Sequence, residues 1–167
     1  MEIVLRLATS DDVEVIHDAA RATWEPTYRN IVSQEQIATM FEDLLSISAI
    51  TRQIAQREGT YVLALDGSTV VGFAYFNQSA DQPERYKLHR LYVRPAEQRS
   101  GVGKQLVTWV ERYIQSLGAT ELVVNVHRKN TAVDFYRKVG YEIIDTVDIP
   151  YRQFWLTDYV MRKTLTL

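Results

Sequence analysis

The segment with the clearest chemical potential lies between a predicted strand and a predicted helix, and its sequence is Gln98-Arg99-Ser100-Gly101-Val102-Gly103, followed by Lys104. At a helix N-terminus the first backbone N–H groups have no partner within the helix, and the helix dipole adds partial positive charge. The two glycines permit unusual φ angles and a close approach of a ligand. A phosphate or pyrophosphate group would therefore suit this loop, with Arg99 and Lys104 as nearby cations.

Two known phosphate-binding motifs do not match the loop. A Rossmann fingerprint needs a third glycine where Leu106 stands. A P-loop needs glycine in place of Gln98 and Ser or Thr in place of Gln105. Because an ordinary tight turn between a strand and a helix can also contain Gly-x-Gly, the loop alone does not identify its ligand.

The hydrophobic periodicity predicts the elements that position this loop. A short strand at residues 3–6 precedes helices at 13–24, 33–40 and 46–57. From residue 60 the period falls to two, which predicts a hairpin of strands 61–65 and 69–77, then a strand at 86–93. A helix at 104–117 ends before Gly118, a strand follows at 121–126, and a helix at 131–139 ends before Gly140. Strands at 141–147 and 153–162 complete the chain, and this order predicts a mixed sheet in an α/β or α+β layered domain.

Composition excludes several classes of protein. The 167 residues fit a single domain spanning 1–167, and the absence of Cys excludes thiol nucleophiles, thiolate metal sites and disulfides. The formal net charge of -2 argues against nucleic acid as a partner, and the 3 histidines have no metal-ligand spacing. No secretory signal is evident, and no window approaches the roughly 18 apolar residues of a membrane span. We therefore expect a cytoplasmic protein with no metal and no membrane partner.

Two segments of the chain match one known family when they are taken together. Residues 88–103 contain a strand and the pattern Gln, two residues, Gly, one residue, Gly. Residues 122–141 follow in the expected order, with matching positions at Asn130, Ala132, Phe135, Tyr136, Lys138, Gly140 and Tyr141. Both segments resemble the GCN5-related N-acetyltransferase (GNAT) superfamily. The resemblance covers about residues 60–145 well and the N-terminal helices only in general layout.

The resemblance implies a GNAT-like mixed, mostly antiparallel central sheet with helices on both faces. Two neighbouring parallel strands would splay apart and bind acetyl-CoA, whose acetyl group passes directly to an amine. Carried over to this chain, the backbone groups of Leu91, Tyr92 and Val93 would bind the pantetheine arm. The loop from Gln98 to Lys104 would hold the pyrophosphate.

The resemblance also assigns roles to side chains outside the loop. Asn130 and Ala132 would contact the pantetheine side, and Tyr136 would point its hydroxyl at the thioester sulfur and protonate the leaving thiolate. Tyr136 has a structural alternative, since its ring could simply anchor a helix in the core. Trp24 and Tyr28 lie in the early helical region that often walls the acceptor pocket in this family, although aromatic residues there can equally belong to the core.

Direct transfer to an amine also needs a base and a site for the oxyanion. At pH 7 an amine with the pKa of lysine is only about 0.1% free base, so a general base is useful. His89 is the first candidate because it lies on the strand that enters the loop, while His127 and Glu97 are weaker ones. A backbone N–H of Tyr92 or Val93 would stabilise the oxyanion.

The sequence favours one function and leaves the acceptor open. The leading function is acetyl-CoA-dependent transfer of the acetyl group to a primary amine, which would be a small molecule such as a polyamine or a protein amino group. The alternative is a noncatalytic acyl-CoA-binding sensor, and a third reading is a structural or interaction domain. The late strand at 153–161, with Phe154 and Trp155, is a candidate homodimer interface.

Overall fold

The structure, a computed structural model, describes residues 2–166 and contains one seven-stranded sheet in the order β1-β2-β3-β4-β5-β7-β6. The strands are β1 (Ile3–Leu7), β2 (Thr60–Asp66), β3 (Thr69–Gln78), β4 (Arg85–Val93), β5 (Glu121–His127), β6 (Glu142–Tyr151) and β7 (Phe154–Thr164). Neighbouring strands are antiparallel except β4 and β5, which are parallel. The predicted mixed, mostly antiparallel sheet is confirmed.

Helices cover both faces of the sheet, as the resemblance implies. One face carries α1 (Val13–Tyr28), α2 (Gln34–Leu45) and α3 (Ile47–Ala55), and the other carries α4 (Val102–Ser116) and α5 (Ala132–Lys138). Each layer has its own core, with Leu45 and Phe73 fully buried under α1–α3 and Leu106 and Leu122 fully buried under α4 and α5. Within residues 2–166, no helix combines the length and the apolar character that crossing a membrane requires.

Three elements, α1, α2 and β6, extend several residues past their predicted ends, and two of them continue through a proline. Helix α1 continues through Pro26 to Tyr28, whose ring lies 4.8 Å from that of Trp24. A proline in the last turn removes little helical hydrogen bonding, and this aromatic contact holds the turn in place. Strand β6 continues through Pro150, which is tolerated because β6 lies at the edge of the sheet.

Candidate active site

A gap between β4 and β5 forms the centre of the site. The parallel pairing of these strands runs from residues 85 and 121 to Leu88 and Val124 and then stops. His89 is the extra residue of a β-bulge, because its neighbours on either side pair with consecutive residues of β3. A bulge bends its strand and redirects the side chains beyond it. Here it places His89 and Arg90 on the same face of the sheet, where both contact the ring of Tyr75.

Beyond the bulge, the backbone of β4 offers unpaired polar groups to the gap at alternate residues. The N–H of Arg94 donates to β3 at 2.9 Å, and the Tyr92 carbonyl lies against Gly72 of β3. Since successive residues of a strand direct their backbone groups to opposite sides, those of Leu91 and Val93 face the gap. The prediction that Tyr92 offers its backbone groups to a pantetheine arm does not fit this arrangement. Tyr92 lines the site through its side chain instead.

The predicted phosphate loop lies between the end of β4 and the start of α4. Arg99 and Gly101 have φ angles of 70° and 90°, which turn the chain sharply before the helix. The first hydrogen bond of the helix runs from Gln105 N–H to Gly101 O, at 3.1 Å. Within residues 2–166, five N–H groups of this segment have no partner, those of Arg99, Gly101, Val102, Gly103 and Lys104. This set of free donors at a helix N-terminus fits a pyrophosphate group.

Other side chains hold the loop in position. Gln98 donates through Nε2 to the Val93 carbonyl at 3.2 Å, and Ser100 donates through Oγ to the Glu97 carbonyl. Val102 is buried in the core beneath α4. At Gly103 an added Cβ would lie 3.4 Å from the ring of Phe135, within ordinary van der Waals contact.

Asn130 fixes the start of α5, the helix that carries Tyr136. Its side-chain Oδ1 accepts a hydrogen bond from the Ala132 N–H at 2.9 Å, and its carbonyl accepts one from the Val133 N–H at 3.2 Å. Tyr136 is buried, with its ring edge-on to that of Tyr141 at 5.6 Å. Asn130 and Tyr136 are therefore held in one small rigid element beside the gap.

Three tyrosines from different elements, Tyr28 of α1, Tyr92 of β4 and Tyr136 of α5, lie close enough to influence one another's ionisation. Burial raises the pKa of Tyr136, and the nearby Tyr28 raises it further. Burial also raises the pKa values of Tyr28 and Tyr92. All three hydroxyls therefore keep their protons at neutral pH and can donate hydrogen bonds into the gap.

A cavity of about 320 Å³ opens from the gap on the face covered by α1–α3. Both residues predicted to wall an acceptor pocket, Trp24 and Tyr28, line it. The Trp24 indole donates to the Ile37 carbonyl at 3.0 Å, which fixes its ring. Ile149 and Leu156 of the β6–β7 hairpin supply the opposite wall. The cavity is therefore mostly apolar and large enough for a small molecule.

Three charged side chains also line this cavity: Lys87, Arg90 and Asp158. None of them forms a salt bridge within residues 2–166. Asp158 is half-buried, and burial raises the pKa of its carboxyl despite the opposing effects of His127 and Asn125. Burial likewise lowers the pKa of Lys87.

The two histidines of the cavity, His127 and His89, differ in their hydrogen-bond partners. His127 accepts the Lys129 N–H at Nδ1 (3.1 Å), so its other nitrogen, Nε2, carries the proton and faces Thr157 Oγ1 at 3.1 Å. His89 places Nε2 2.7 Å from Asn77 Oδ1. Although the His89 residue as a whole is exposed, desolvation of its ring and the charges of Lys87 and Arg90 lower the pKa of His89.

The tip of the β6–β7 hairpin is fastened to α2 across one side of the cavity. Arg152 donates to both carboxylate oxygens of Asp43, at 2.7 and 2.8 Å, and the Tyr151 hydroxyl donates to the same carboxylate at 2.7 Å. Gln153 adds a hydrogen bond to Glu35 at 3.1 Å. We call these contacts the hairpin clasp; they join α2 to the β6–β7 hairpin, and both elements also line the cavity.

Sequence reasoning missed the charged residues of the cavity, Lys87, Arg90 and Asp158. Asp158 carried one signal, since it is an acidic residue in a predicted strand whose nearest neighbours along the chain are mostly apolar. Nothing in the sequence shows that β7 lies next to β5, and this neighbourhood is what brings Asp158 beside Asn125 and His127.

The fold and the site together define an acyltransferase of the GNAT type. The family model described as an acetyltransferase (GNAT) domain matches residues 28–165, and the chain belongs to this family. The predicted activity is confirmed: the chain is an N-acetyltransferase with acetyl-CoA as its cosubstrate.

Known relatives cover nearly the whole chain. A spermidine N(1)-acetyltransferase from Thermoplasma acidophilum is 29% identical over 98% of both chains. The N-alpha-acetyltransferase RimI from Mycobacterium tuberculosis is 29% identical over 70% of this chain and 73% of its own. Among solved structures, the PaiA N-acetyltransferase from T. acidophilum in complex with coenzyme A has a TM-score of 0.86 and 27% identity, covering 98% of this chain and 99% of its own.

Proposed function

We propose that this N-acetyltransferase acetylates the primary amino group of a small molecule, and that Asp158 receives that amine. One observation carries the proposal: a half-buried carboxylate that forms no salt bridge with any of residues 2–166 stands in a mostly apolar cavity beside the gap between β4 and β5. A carboxylate in such a place attracts an ammonium group, since opposite charges interact more strongly away from water.

Asp158 is also suited to accept the proton that the ammonium must lose before it can react. Burial raises the pKa of its carboxyl, which makes the carboxylate a stronger base than an exposed aspartate. The positive charges of Lys87 and Arg90 on the neighbouring wall disfavour the ammonium form of the bound amine. Both effects increase the fraction of free amine above the roughly 0.1% present in water at pH 7.

The gap and the loop supply the groups that acetyl-CoA requires. When bound, this cosubstrate supplies the thioester carbonyl that the amine attacks. The backbone groups of Leu91, which face the gap, suit the amides of the pantetheine arm, and the Val93 N–H is the oxyanion donor that best fits the direction of the strand. Asn130 and Ala132 lie along the pantetheine side. The free N–H groups of the loop, with Arg99 and Lys104, hold the pyrophosphate.

Tyr136 assists by donating a hydrogen bond to the departing sulfur. A thiol has a pKa near 8.5, whereas burial raises the pKa of Tyr136 above its usual value of 10.0. Complete transfer of the phenolic proton to a thiolate is therefore unfavourable. Donation of a hydrogen bond from a fixed, protonated hydroxyl still stabilises the developing negative charge.

His89 remains the competing candidate for the base. It lies at the bulge and lines the same cavity, but Nε2 already contacts Asn77 and its lowered pKa makes it a weak proton acceptor. Asp158 meets the electrostatic requirement of a cationic acceptor as well as the need for a base. The two assignments differ in which substitution removes the pH dependence of the reaction.

The size of the cavity, about 320 Å³, favours a small molecule over a protein acceptor. The hairpin clasp, which joins Arg152 and Tyr151 to Asp43, ties together two elements that line the cavity and would restrict the approach of an extended peptide. The full-length similarity to the spermidine acetyltransferase supports this choice, while the similarity to RimI spans only 70% of the chain.

The proposal is tested by comparing acceptors in an assay that follows release of free CoA with a thiol reagent. Because the protein has no Cys, it gives no thiol background. Small primary alkylamines and amino acids with a distal amino group are compared with short peptides that have a free N-terminus. We expect higher kcat/KM for the small amines; efficient acetylation of the peptides alone would refute the proposal.

A further inference from the structure

We infer that Arg90 forms a subsite for an anion, so that the acceptor of this enzyme is an amine that also carries a carboxylate at its other end. This inference rests on the proposed function, because it places the acceptor in the same cavity. It adds a second anchoring group that neither the family nor the relatives assign to this chain.

The guanidinium of Arg90 is buried without a negatively charged partner. The residue is 8% exposed, lines the cavity and forms no salt bridge within residues 2–166. Its Nε is buried with no hydrogen-bond partner. Its one hydrogen bond in the described part of the chain is a long contact of 3.5 Å from Nη2 to the Tyr61 hydroxyl. A buried charge left in this state is costly, and an anion from outside would relieve that cost.

The surrounding groups do not supply that anion. The Tyr61 hydroxyl donates to Gln53 Oε1 at 2.5 Å, and the ring of Tyr75 lies 4.5 Å below the guanidinium. Glu58, a carboxylate close enough to influence Tyr75, is paired with Arg52 at 2.8 Å. The stacking on Tyr75 fixes the plane of the Arg90 guanidinium, as a site for bidentate recognition of a carboxylate requires.

The separation of the charges sets the form of the ligand. Arg90 lies on β4 and Asp158 on β7, with β5 between them; two strand spacings make roughly 10 Å, and the gap that opens between β4 and β5 beyond Leu88 widens this separation. An α-amino acid is too short to reach both charges. Lys87, on β4 and also without a salt bridge, adds positive charge on the side of Arg90. An extended molecule with its amine at Asp158 and its carboxylate at Arg90 satisfies this arrangement, whereas a second ammonium would lie among cations.

The direct test compares three acceptors of equal length: hexylamine, 1,6-diaminohexane and 6-aminohexanoate, together with the matching four-carbon set. We expect kcat/KM for the aminoalkanoate to exceed that of the alkylamine by about tenfold, a ratio within the range of hydrogen bonds to charged groups. The diamine should be the poorest of the three. Acetylation of these amines with no preference for the carboxylate would overturn the Arg90 subsite alone, whereas no acetylation of any of them would overturn the proposed function as well.

Substitution then assigns the preference to Arg90. In Arg90→Met the ratio of kcat/KM for 6-aminohexanoate to that for hexylamine should fall to about one, and Arg90→Lys should retain part of it. Arg112→Met, an exposed cation on the opposite face of the sheet, should keep the wild-type ratio. A preference that persists in Arg90→Met would contradict the subsite.

A measurement on the unaltered protein covers the case in which Arg90→Met fails to fold. Hexanoate should inhibit acetylation of hexylamine competitively with the amine, and about tenfold more strongly than 1-hexanol does. Equal inhibition by the two compounds would overturn the subsite without any variant.

Discussion

Leu88 and Val124 are the last residues at which β4 and β5 pair, and the bulge at His89 starts the separation of the two strands. The gap is thus built into the backbone: within residues 2–166, the backbone groups of Leu91 and the N–H of Val93 face it without a strand partner, while the Val93 carbonyl accepts from Gln98. An unsatisfied backbone group costs about 1–3 kcal/mol when it is buried. A ligand that bonds to these groups should therefore stabilise the folded protein as well as bind to it.

The first prediction follows from this gap. Saturating acetyl-CoA, at about one hundred times its Kd, should stabilise the protein by about 2.7 kcal/mol and raise its Tm. Thermal unfolding with and without acetyl-CoA measures the effect, and 3′,5′-ADP serves as a partial ligand that lacks the pantetheine arm. If 3′,5′-ADP at the same concentration as acetyl-CoA raised the Tm equally, the two ligands would have the same affinity and the pantetheine arm would not use the gap.

Gly101 provides a test of the pyrophosphate loop. Gly101 and Gly118 stand at opposite ends of α4 with φ angles of 90° and 96°, and neither has an atom within 4 Å of an added Cβ. Alanine at either position should cost about 1–2 kcal/mol of stability through backbone strain. Only Gly101→Ala should also raise KM for acetyl-CoA, because only the turn at Gly101 belongs to the loop whose N–H groups face the pyrophosphate. Equal KM values for the two variants would exclude the assigned role of the loop.

Tyr136→Phe isolates the contribution of one hydroxyl. The substitution keeps the ring that packs against Tyr141 and removes the donor beside the gap, so we expect kcat to fall about a hundredfold with little change in the Kd for acetyl-CoA. Calorimetry and steady-state kinetics measure the two quantities. Tyr113→Phe, on α4 and stacked against Trp109, is the matched control and should leave both unchanged. Wild-type kcat in Tyr136→Phe would remove Tyr136 from the reaction.

The hairpin clasp should govern access of the acceptor and not of acetyl-CoA. Hydrogen bonds from Tyr151 and then Arg152 hold the pKa of Asp43 below its usual range. The clasp therefore forms above the ordinary pKa of aspartate and is lost only as the pH falls through the lowered value, so it is intact at neutral pH.

Arg152→Met should raise KM for the small amine by roughly threefold and leave KM for acetyl-CoA unaltered. Arg52→Met breaks another exposed ion pair, with Glu58, and is the control. A variant of Arg152 with wild-type KM for every amine would show that the clasp plays no part in acceptor binding.

The parts of the site that come from consecutive residues were predictable from the sequence. The loop from Gln98 to Lys104 and the segment from Asn130 to Tyr136 are each defined by local spacing, and the structure places both beside the gap. The two segments lie close together because β4 and β5 pair in parallel over a short stretch, and the family resemblance implied this pairing.

The charged wall of the cavity was not predictable, for a reason that lies in the bulge. Simple alternation along β4 would place Leu88, Arg90 and Tyr92 on one face, the face covered by α4. The extra residue at His89 shifts the alternation, so Arg90 and Tyr92 face the α1–α3 side while Leu88 stays in the other core. One inserted residue thus moves a cation and an aromatic ring into the acceptor cavity, and nothing in the local sequence marks the insertion.

The pH dependence of acetylation by Asp158→Asn tests the central claim most directly. Asp158 must be ionised to accept a proton, and burial raises the pKa of its carboxyl in the free enzyme, so kcat/KM of the wild type should fall as the pH drops through a value above the ordinary 3.8 of aspartate. Two amines of different pKa separate this fall in rate from the one caused by protonation of the acceptor. The fall that belongs to the enzyme occurs at the same pH with both amines.

Asp158→Asn should no longer show the fall in rate at low pH that belongs to the enzyme. Its kcat/KM for a small primary amine should be about a hundredfold lower than that of the wild type at neutral pH. Asp145→Asn, exposed on the neighbouring strand β6, is the control and should behave as the wild type. An Asp158→Asn enzyme with wild-type kcat/KM and an unchanged pH profile would contradict the account.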